Sequence, residues 1–498
     1  MRTKTAKATK AEADVVHPSH LKGSTLPPDW EWVSLGNICR TTSGGTPSRK
    51  NKKYFEGDIP WVKSGELPDG PVSQVEEYIT GEAVKNSSAK QFPKGTLLIA
   101  LYGATVGKLG VLTKEAATNQ AVCAIFPPDY LETKYLFWYL RFVRSDLVSQ
   151  AIGGAQPNIS QGIIRNLLIP VAPPLQQKRI VAEIEKQFSR LDEAVANLKR
   201  VKANLKRYKA SVLKATVEGK LTEEWRKQHP NVEPAGKFLE SILAERRAKW
   251  NGRGKYKETP VPDSTTLPPL PKTWTWSSVE TVCSAVVDCP HSTPKWQASG
   301  RVCLRTTEFR PGRLDLSDVR YVSQATYESR IQRLTPREND IVYSREGGIL
   351  GLACMIPARL NPCLGQRMML LRSHALFSPN LLMYWLNSPD LLARVRSLTG
   401  GSASPHLNVG EVKSFPVPVA PIAEQNAIAA EVERRLSVID ELEAAVQASL
   451  TRADHLRQAI LQRAFSGRLL SEKGHAGFSD SYMPLLAAES VSPYGVRS

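Results

Sequence analysis

A chain of 498 residues, 41% of them hydrophobic, can bury two or more separate cores, since one domain usually takes about 100 to 200 residues. Its 66 Lys and Arg stand against 48 Asp and Glu, a net charge of +18. That field favours a polyanion, of which nucleic acid is the commonest, although a merely basic soluble protein carries the same balance. No apolar run approaches the roughly 18 residues of a membrane helix. Residues 1–14 alternate Lys and Thr without the apolar stretch of a secretory signal, so a cytoplasmic protein with a disordered basic tail over 1–25 is expected.

From residue 26 the chain says nearly the same thing twice. Leu26-Pro27-Pro28-Asp29-Trp30-Glu31-Trp32 returns as Leu270-Pro271-Lys272-Thr273-Trp274-Thr275-Trp276, an offset of 244. Ile169-Pro170-Val171-Ala172-Pro173 returns as Val417-Pro418-Val419-Ala420-Pro421, and Gly219-Lys220-Leu221 as Gly467-Arg468-Leu469, an offset of 248. Solenoid repeats run to about 20 to 50 residues, so this period marks a duplicated domain.

The first globule, 26–172, holds short β-type runs punctuated by Gly, Pro and Asn, among them Ile59-Pro60-Trp61-Val62, Thr96-Leu97-Leu98-Ile99-Ala100 and Ala121-Val122-Cys123-Ala124-Ile125-Phe126. One helix is expected over 133–148, where Leu136, Tyr139, Leu140, Val143 and Leu147 share a face. Segment 173–226 is different: after Pro173-Pro174 neither Pro nor Gly occurs until Gly219, and Ile184, Leu191, Leu198, Leu205 and Val212 are spaced by sevens. This predicts a helix of about 40 residues, about 60 Å long, with an exit loop behind it.

Residues 227–269 break the repetition, with an amphipathic stretch at 238–247 and then a basic, Pro-rich linker. The second globule, 270–420, repeats the first, with a strand at Asp340-Ile341-Val342-Tyr343-Ser344 and a helix over 380–394. The second long helix, 421–470, carries Val432, Ile439, Val446, Ala453 and Ile460 by sevens, and the tail 471–498 has no clear periodicity. The fold class expected is α+β: two tandem mixed α/β globules separated by two long helices packed as an antiparallel coiled coil, with pseudo-two-fold internal symmetry. Packing of each seam on its own globule is the alternative.

Seven scattered cysteines suit a reduced cytosol. Cys283, Cys289, His291 and Cys303 have the donor atoms zinc prefers, but no close Cys-x-x-Cys pair, so buried thiols are expected and no metal. Gly103-x-x-x-Gly107-Lys108 is one residue short of a phosphate loop and lacks the following Ser or Thr, which leaves a tight turn between strands. No Asn-Pro-Pro-Tyr or Asn-Pro-Pro-Phe loop, no glycine-rich cofactor loop and no Gly-x-Ser-x-Gly elbow occurs, so catalysis by this chain is not expected.

Over 26–470 the chain resembles the DNA specificity subunits of type I restriction-modification systems. The marks are Gly44-Gly45-Thr46-Pro47-Ser48, Tyr102-Gly103-Ala104-Thr105-Val106-Gly107-Lys108, Asn119-Gln120-Ala121, Pro157-Asn158-Ile159-Ser160, and the stretch from Ile169 to Lys178 that leads to Gly219-Lys220-Leu221-Thr222-Glu223-Glu224-Trp225-Arg226. The second copy keeps the exit, as Pro405-His406-Leu407-Asn408, but has Glu346-Gly347-Gly348-Ile349 where the first has Tyr102-Gly103-Ala104-Thr105. The resemblance implies two target recognition domains, each reading half of an asymmetric bipartite site in double-stranded DNA. It implies a non-catalytic scaffold for two methyltransferase subunits and two motor-nuclease subunits, with S-adenosylmethionine, ATP and magnesium bound by those partners and no cofactor here. An orphan subunit of a methylation-only system and a coiled-coil protein scaffold are the rival readings.

Donor chemistry then selects candidate DNA contacts. The loop with Thr46, Ser48, Arg49, Lys50, Lys52 and Lys53 suits phosphates and a guanine edge, or is a solvated lysine loop. Lys63 and Ser64 stand where the family's recognition loops begin; Tyr102 and Lys108 belong to the glycine turn. In the second copy the candidates are His291, Lys295, Arg305, Thr306, Arg345, Gln366 and Arg367, because Arg and Gln pair bidentately with guanine and adenine. Internal salt bridges are the alternative for the arginines, above all for Arg345 beside Glu346.

Overall fold

The computed structural model describes residues 16–150, 158–251, 254–263, 265, 267–399 and 405–470. It divides into two units, Met1–Lys199 with Ala448–Ser498, and Arg200–Gln447. Both divisions fall inside long helices, so each unit is a globule completed by a part of each helix.

In the first unit a five-stranded sheet runs Arg40–Ser43, Val122–Phe126, Leu97–Ala100, Leu109–Leu112, Gly70–Val72. A four-stranded sheet runs Tyr78–Ile79, Ile59–Val62, Ala116–Thr118, Lys90–Phe92. Each contains one parallel pair among antiparallel ones, Gly70–Val72 with Leu109–Leu112 and Ile59–Val62 with Ala116–Thr118. The apolar runs are continuous rather than alternating because their strands are buried on both faces. Leu97, Ile99, Cys123 and Ile125 point into the core shared with the helices, and Leu98, Ala100, Val122 and Ala124 into a core on the opposite face. Glu31–Ser34 and Leu168–Val171 pair antiparallel where the chain enters and leaves the globule, with Trp32 opposite Pro170.

The second unit repeats this plan. One sheet runs Cys283–Asp288, Met368–Ser373, Ile341–Ser344, Ala353–Met355, and the other Trp296–Gln297, Arg320–Val322, Arg301–Leu304, Cys363–Leu364. The parallel pair is again present, Arg301–Leu304 with Cys363–Leu364, and Trp276 lies opposite Pro418 in the entry-exit pair.

Three expectations are corrected. The helix over 133–148 is two, Thr133–Phe142 and Arg144–Ser149, broken at Val143, and that over 380–394 is also two, Pro379–Leu386 and Pro389–Leu398. In the second case Pro389 opens a new helix capped by Ser388, while the Asn387 side-chain amide bonds both backbone groups of Ala353, accepting at 3.2 Å and donating at 2.8 Å. Residues 16–25 are folded rather than tail: Val16 bridges Leu167, and Leu21 is fully buried in the first core. Tail residues 1–15 and 471–498, and Pro157 of the exit motif, lie outside the described residues. The amphipathic stretch forms Ala235–Ala248, whose Phe238, Leu239 and Ile242 join the second unit's core.

The long helices run Pro174–Val217 and Ile422–Phe465, 44 residues each. Nine of the ten heptad residues are buried and Leu198 is half-buried. Within the second unit, Lys202 donates to Gln447 at 2.9 Å and Lys209 pairs with Asp440 at 2.7 Å. A step forward of seven on one helix is a step back of seven on the other, which makes the pair antiparallel. Within the first unit, Ile460, Leu461, Ala464 and Phe465 pack in one core with Ile180, Ile184 and Phe188, and Arg457 pairs with Asp192. Each helix ends on a left-handed glycine set against a proline that opens a globule: a Cβ on Gly219 would stand 2.6 Å from Pro271, and one on Gly467 2.2 Å from Pro27.

Candidate nucleic-acid interface

Both units build the interface from the turns that link their two sheets. In the first, Gly45 accepts a 3.0 Å bond from the Trp61 indole, and Thr46 donates to Gln120 of the loop before Val122–Phe126. The basic loop is thus tied down at its root. Arg49 is turned back onto the globule, 2.7 Å from Glu77 and over the rings of Phe55 and Trp61. Ser48, Lys50, Lys52 and Lys53 are exposed, and among the described residues their side chains have no hydrogen-bond or ion-pair partner.

Lys63 and Ser64 lie in a short turn that recurs. The Glu66 carboxylate accepts from the Lys63 backbone at 2.6 Å, as Glu308 accepts from that of Arg305. Each turn's cation is held by acids. Lys63 pairs with Glu76 and Glu77 at 2.9 and 3.1 Å, and these bonds raise its pKa, while the bond from Arg49 lowers that of Glu77. Arg305 pairs with Glu308 at 2.6 Å and Asp318 at 3.4 Å; Thr306 beside it is half-buried. Such charges position the turn and are not free for phosphate. Tyr102 and Lys108 are half-buried in the reversal between Leu97–Ala100 and Leu109–Leu112, where Gly103 and Gly107 adopt φ of +85° and +77°. The glycines therefore serve a tight turn.

In the second unit Arg345 is a correction to the candidate contacts. Its side chain is buried, bonding Asp288 at 2.9 and 3.2 Å, Glu346 at 3.2 Å and the Leu407 carbonyl at 2.9 Å. With these partners inside the fold it braces the loop and presents no fork to a base. His291 is exposed, its Nε2 2.9 Å from Asp288, and its carbonyl accepts from the Gln366 amide at 2.5 Å. Lys295 and Arg367 are exposed and, among the described residues, their side chains have no hydrogen-bond or ion-pair partner.

Reasoning from the sequence missed Gln120, Asp288 and Arg330. Arg330 is buried and donates to Leu364 at 2.7 Å, Gly365 at 3.3 Å and Ser292, fastening the His291 loop to the Gln366 loop. Nothing in the pattern of the helix Gln324–Ile331 marks it for that role.

Cys283, Cys289 and Cys303 belong to three different apolar clusters, and among the described residues no three potential metal ligands converge. Burial pushes the Cys39, Cys123 and Cys354 thiols up to about 12, away from the thiolate. Among the described residues no helix is long and apolar enough to cross a membrane.

Residues 27–207 match the family model of the type I restriction modification DNA specificity domain. The chain is 23% identical over 463 residues to the type I restriction enzyme EcoDI specificity subunit of Escherichia coli, covering 91% of both chains. Its similarity to type I specificity subunits thus runs along nearly the whole chain. The EcoKI specificity subunit of Escherichia coli strain K12 is 23% identical over 472 residues, 91% of this chain and 92% of that one. The fold is shared with a chain of a solved structure concerned with complex assembly and conformational transition of the type I R-M system. That match has a TM-score of 0.62 at 20% identity and covers 89% of this chain and 100% of the other. The first unit's exposed cations lie within the residues that match the DNA specificity domain.

Proposed function

We propose that each globule reads one half of an asymmetric, bipartite DNA site, and that the long helices dock two methyltransferase subunits and two motor-nuclease subunits. The observation that carries this is one architecture built twice with different side chains on the same loops. The first unit offers Lys50, Lys52 and Lys53, and the second His291, Lys295 and Arg367. A symmetric reader would repeat its contacts; this one repeats its braces, the Lys63 and Arg305 turns, and varies what is exposed.

In this reading the two half-sites lie about one helical turn apart, ~34 Å centre to centre, with an unread spacer between them. The chain recognises and positions. S-adenosylmethionine, ATP and magnesium are bound by the partner subunits, and the assembly works in the cytoplasm.

Binding measured against salt tests the interface. Free lysines that displace counterions make log K fall with log salt by about 0.9 per phosphate contact. Replacing Lys50, Lys52 and Lys53 together with alanine is expected to weaken binding to all sequences alike and to flatten that slope by about three. A wild-type complex whose DNA binding is indifferent to salt would instead favour the protein scaffold.

A further inference from the structure

Arg367 is held by the fold in a conformation its side chain resists. Its φ is +67°, in the left-handed region that L-residues other than glycine rarely adopt. The backbone is pinned on both sides. Gly365 donates to Leu304 at 2.8 Å, the Arg367 carbonyl accepts from Arg345 at 3.0 Å, and Met368 accepts from Cys289 at 3.2 Å. Arg330 clamps the preceding carbonyls, and the Gln366 amide is spent on His291. What this frame leaves exposed, without a polar partner among the described residues, is the Arg367 guanidinium. Gly347 lies alongside, where a Cβ would come 3.7 Å from it.

The first unit has the same crossing with a different occupant. Val62 and Thr118 pair in parallel as Leu304 and Leu364 do, and Val122 faces Ala100 as Met368 faces Ser344. Leu101 donates to Ala121 at 2.8 Å where Arg345 donates to Arg367. Gln120 corresponds to Gln366, and Ala121 to Arg367. Ala121 is buried and, unlike Arg367, does not have a positive φ. A methyl group in one unit thus stands where the other presents a planar fork of donors, the group that pairs bidentately with O6 and N7 of guanine.

We propose that Arg367 reads a guanine in the half-site of the second unit, and that the first half-site has no counterpart contact. The inference rests on the bipartite reading above. The test maps N6-methyladenine motifs made by the chain assembled with its methyltransferase subunits, for wild type, Arg367→Ala and Arg367→Gly. Glycine keeps the left-handed backbone without cost, so it separates recognition from folding.

The wild-type motif is expected to contain a G·C pair in one half. Both variants are expected to lose preference at that single position by about ten- to a hundredfold, with the other half and the spacer unchanged. An unchanged motif in Arg367→Gly overturns the proposal, as does an equal weakening of both halves, which marks a backbone contact. A wild-type motif that is not bipartite removes the underlying reading, and this inference with it, before any variant is compared.

Discussion

Replacing Glu424 with alanine is expected to cost the second unit about 3 to 5 kcal/mol, because it removes one partner of a buried ion pair. The carboxylate is fully buried at the start of the second long helix and accepts from Arg226 at 2.6 Å, Thr222 at 2.7 Å and the Trp274 indole at 2.8 Å. Arg226 also holds the Gly219 carbonyl at 2.7 Å, so this site ties the exit of the first long helix to the entry of the second globule. Without Glu424 the buried Trp274 indole N–H loses its acceptor, and the part-buried Arg226 guanidinium loses its counter-charge and keeps only Thr222 and the Gly219 carbonyl.

In the first unit the tryptophan bond is made by a neutral side chain, Gln176, which accepts from the Trp30 indole at 2.9 Å and donates to Asp29. Glu424→Gln is therefore expected to keep the tryptophan bond and lose only about 1 to 3 kcal/mol. Urea unfolding followed by tryptophan fluorescence measures both. An alanine variant within about 1 kcal/mol of wild type would show that the site carries little of the unit's stability.

Phe465→Ala is expected to be as costly in the first unit, about 3 to 5 kcal/mol. The ring is fully buried, 5.2 Å from Tyr135 and 5.0 Å from Tyr139 edge-on, and stacked 5.8 Å from Phe142. It comes from the last residue of the second long helix, which in this way completes the first globule's core. The expected results are a lower urea midpoint for the first unit and faster proteolysis within residues 16–199. An unchanged midpoint would mean that the globule's own strands and helices suffice.

Much of this was legible beforehand because it follows from local chemistry. Pro174 and Gly219 bracket the first long helix since one is tolerated in a first turn and the other supplies the left-handed stop, and the heptads predict the seam that the structure buries. The duplication was visible as repeated words. Less legible was whatever depends on residues distant in the chain. Residue type leaves Arg345 open to base reading or to an internal salt bridge, and only the fold, which encloses it with Asp288 and Leu407, decides for the second; nothing in the sequence pairs Phe465 with Tyr135. The helix break at Val143 was hidden because Leu147 keeps the buried face on either side of it. At the interface, residue type identified cations, but only the Glu76, Glu77 and Glu308 partners separate those that brace a turn from those left for DNA.

The most direct measurement is the modification pattern itself. The chain is co-expressed with its methyltransferase subunits in a host lacking adenine methylation, and N6-methyladenine is mapped by single-molecule sequencing. The expected result is a single motif of two short, different halves around an unread spacer. A continuous or palindromic motif, or a stable complex that leaves the DNA unmethylated, would contradict the account.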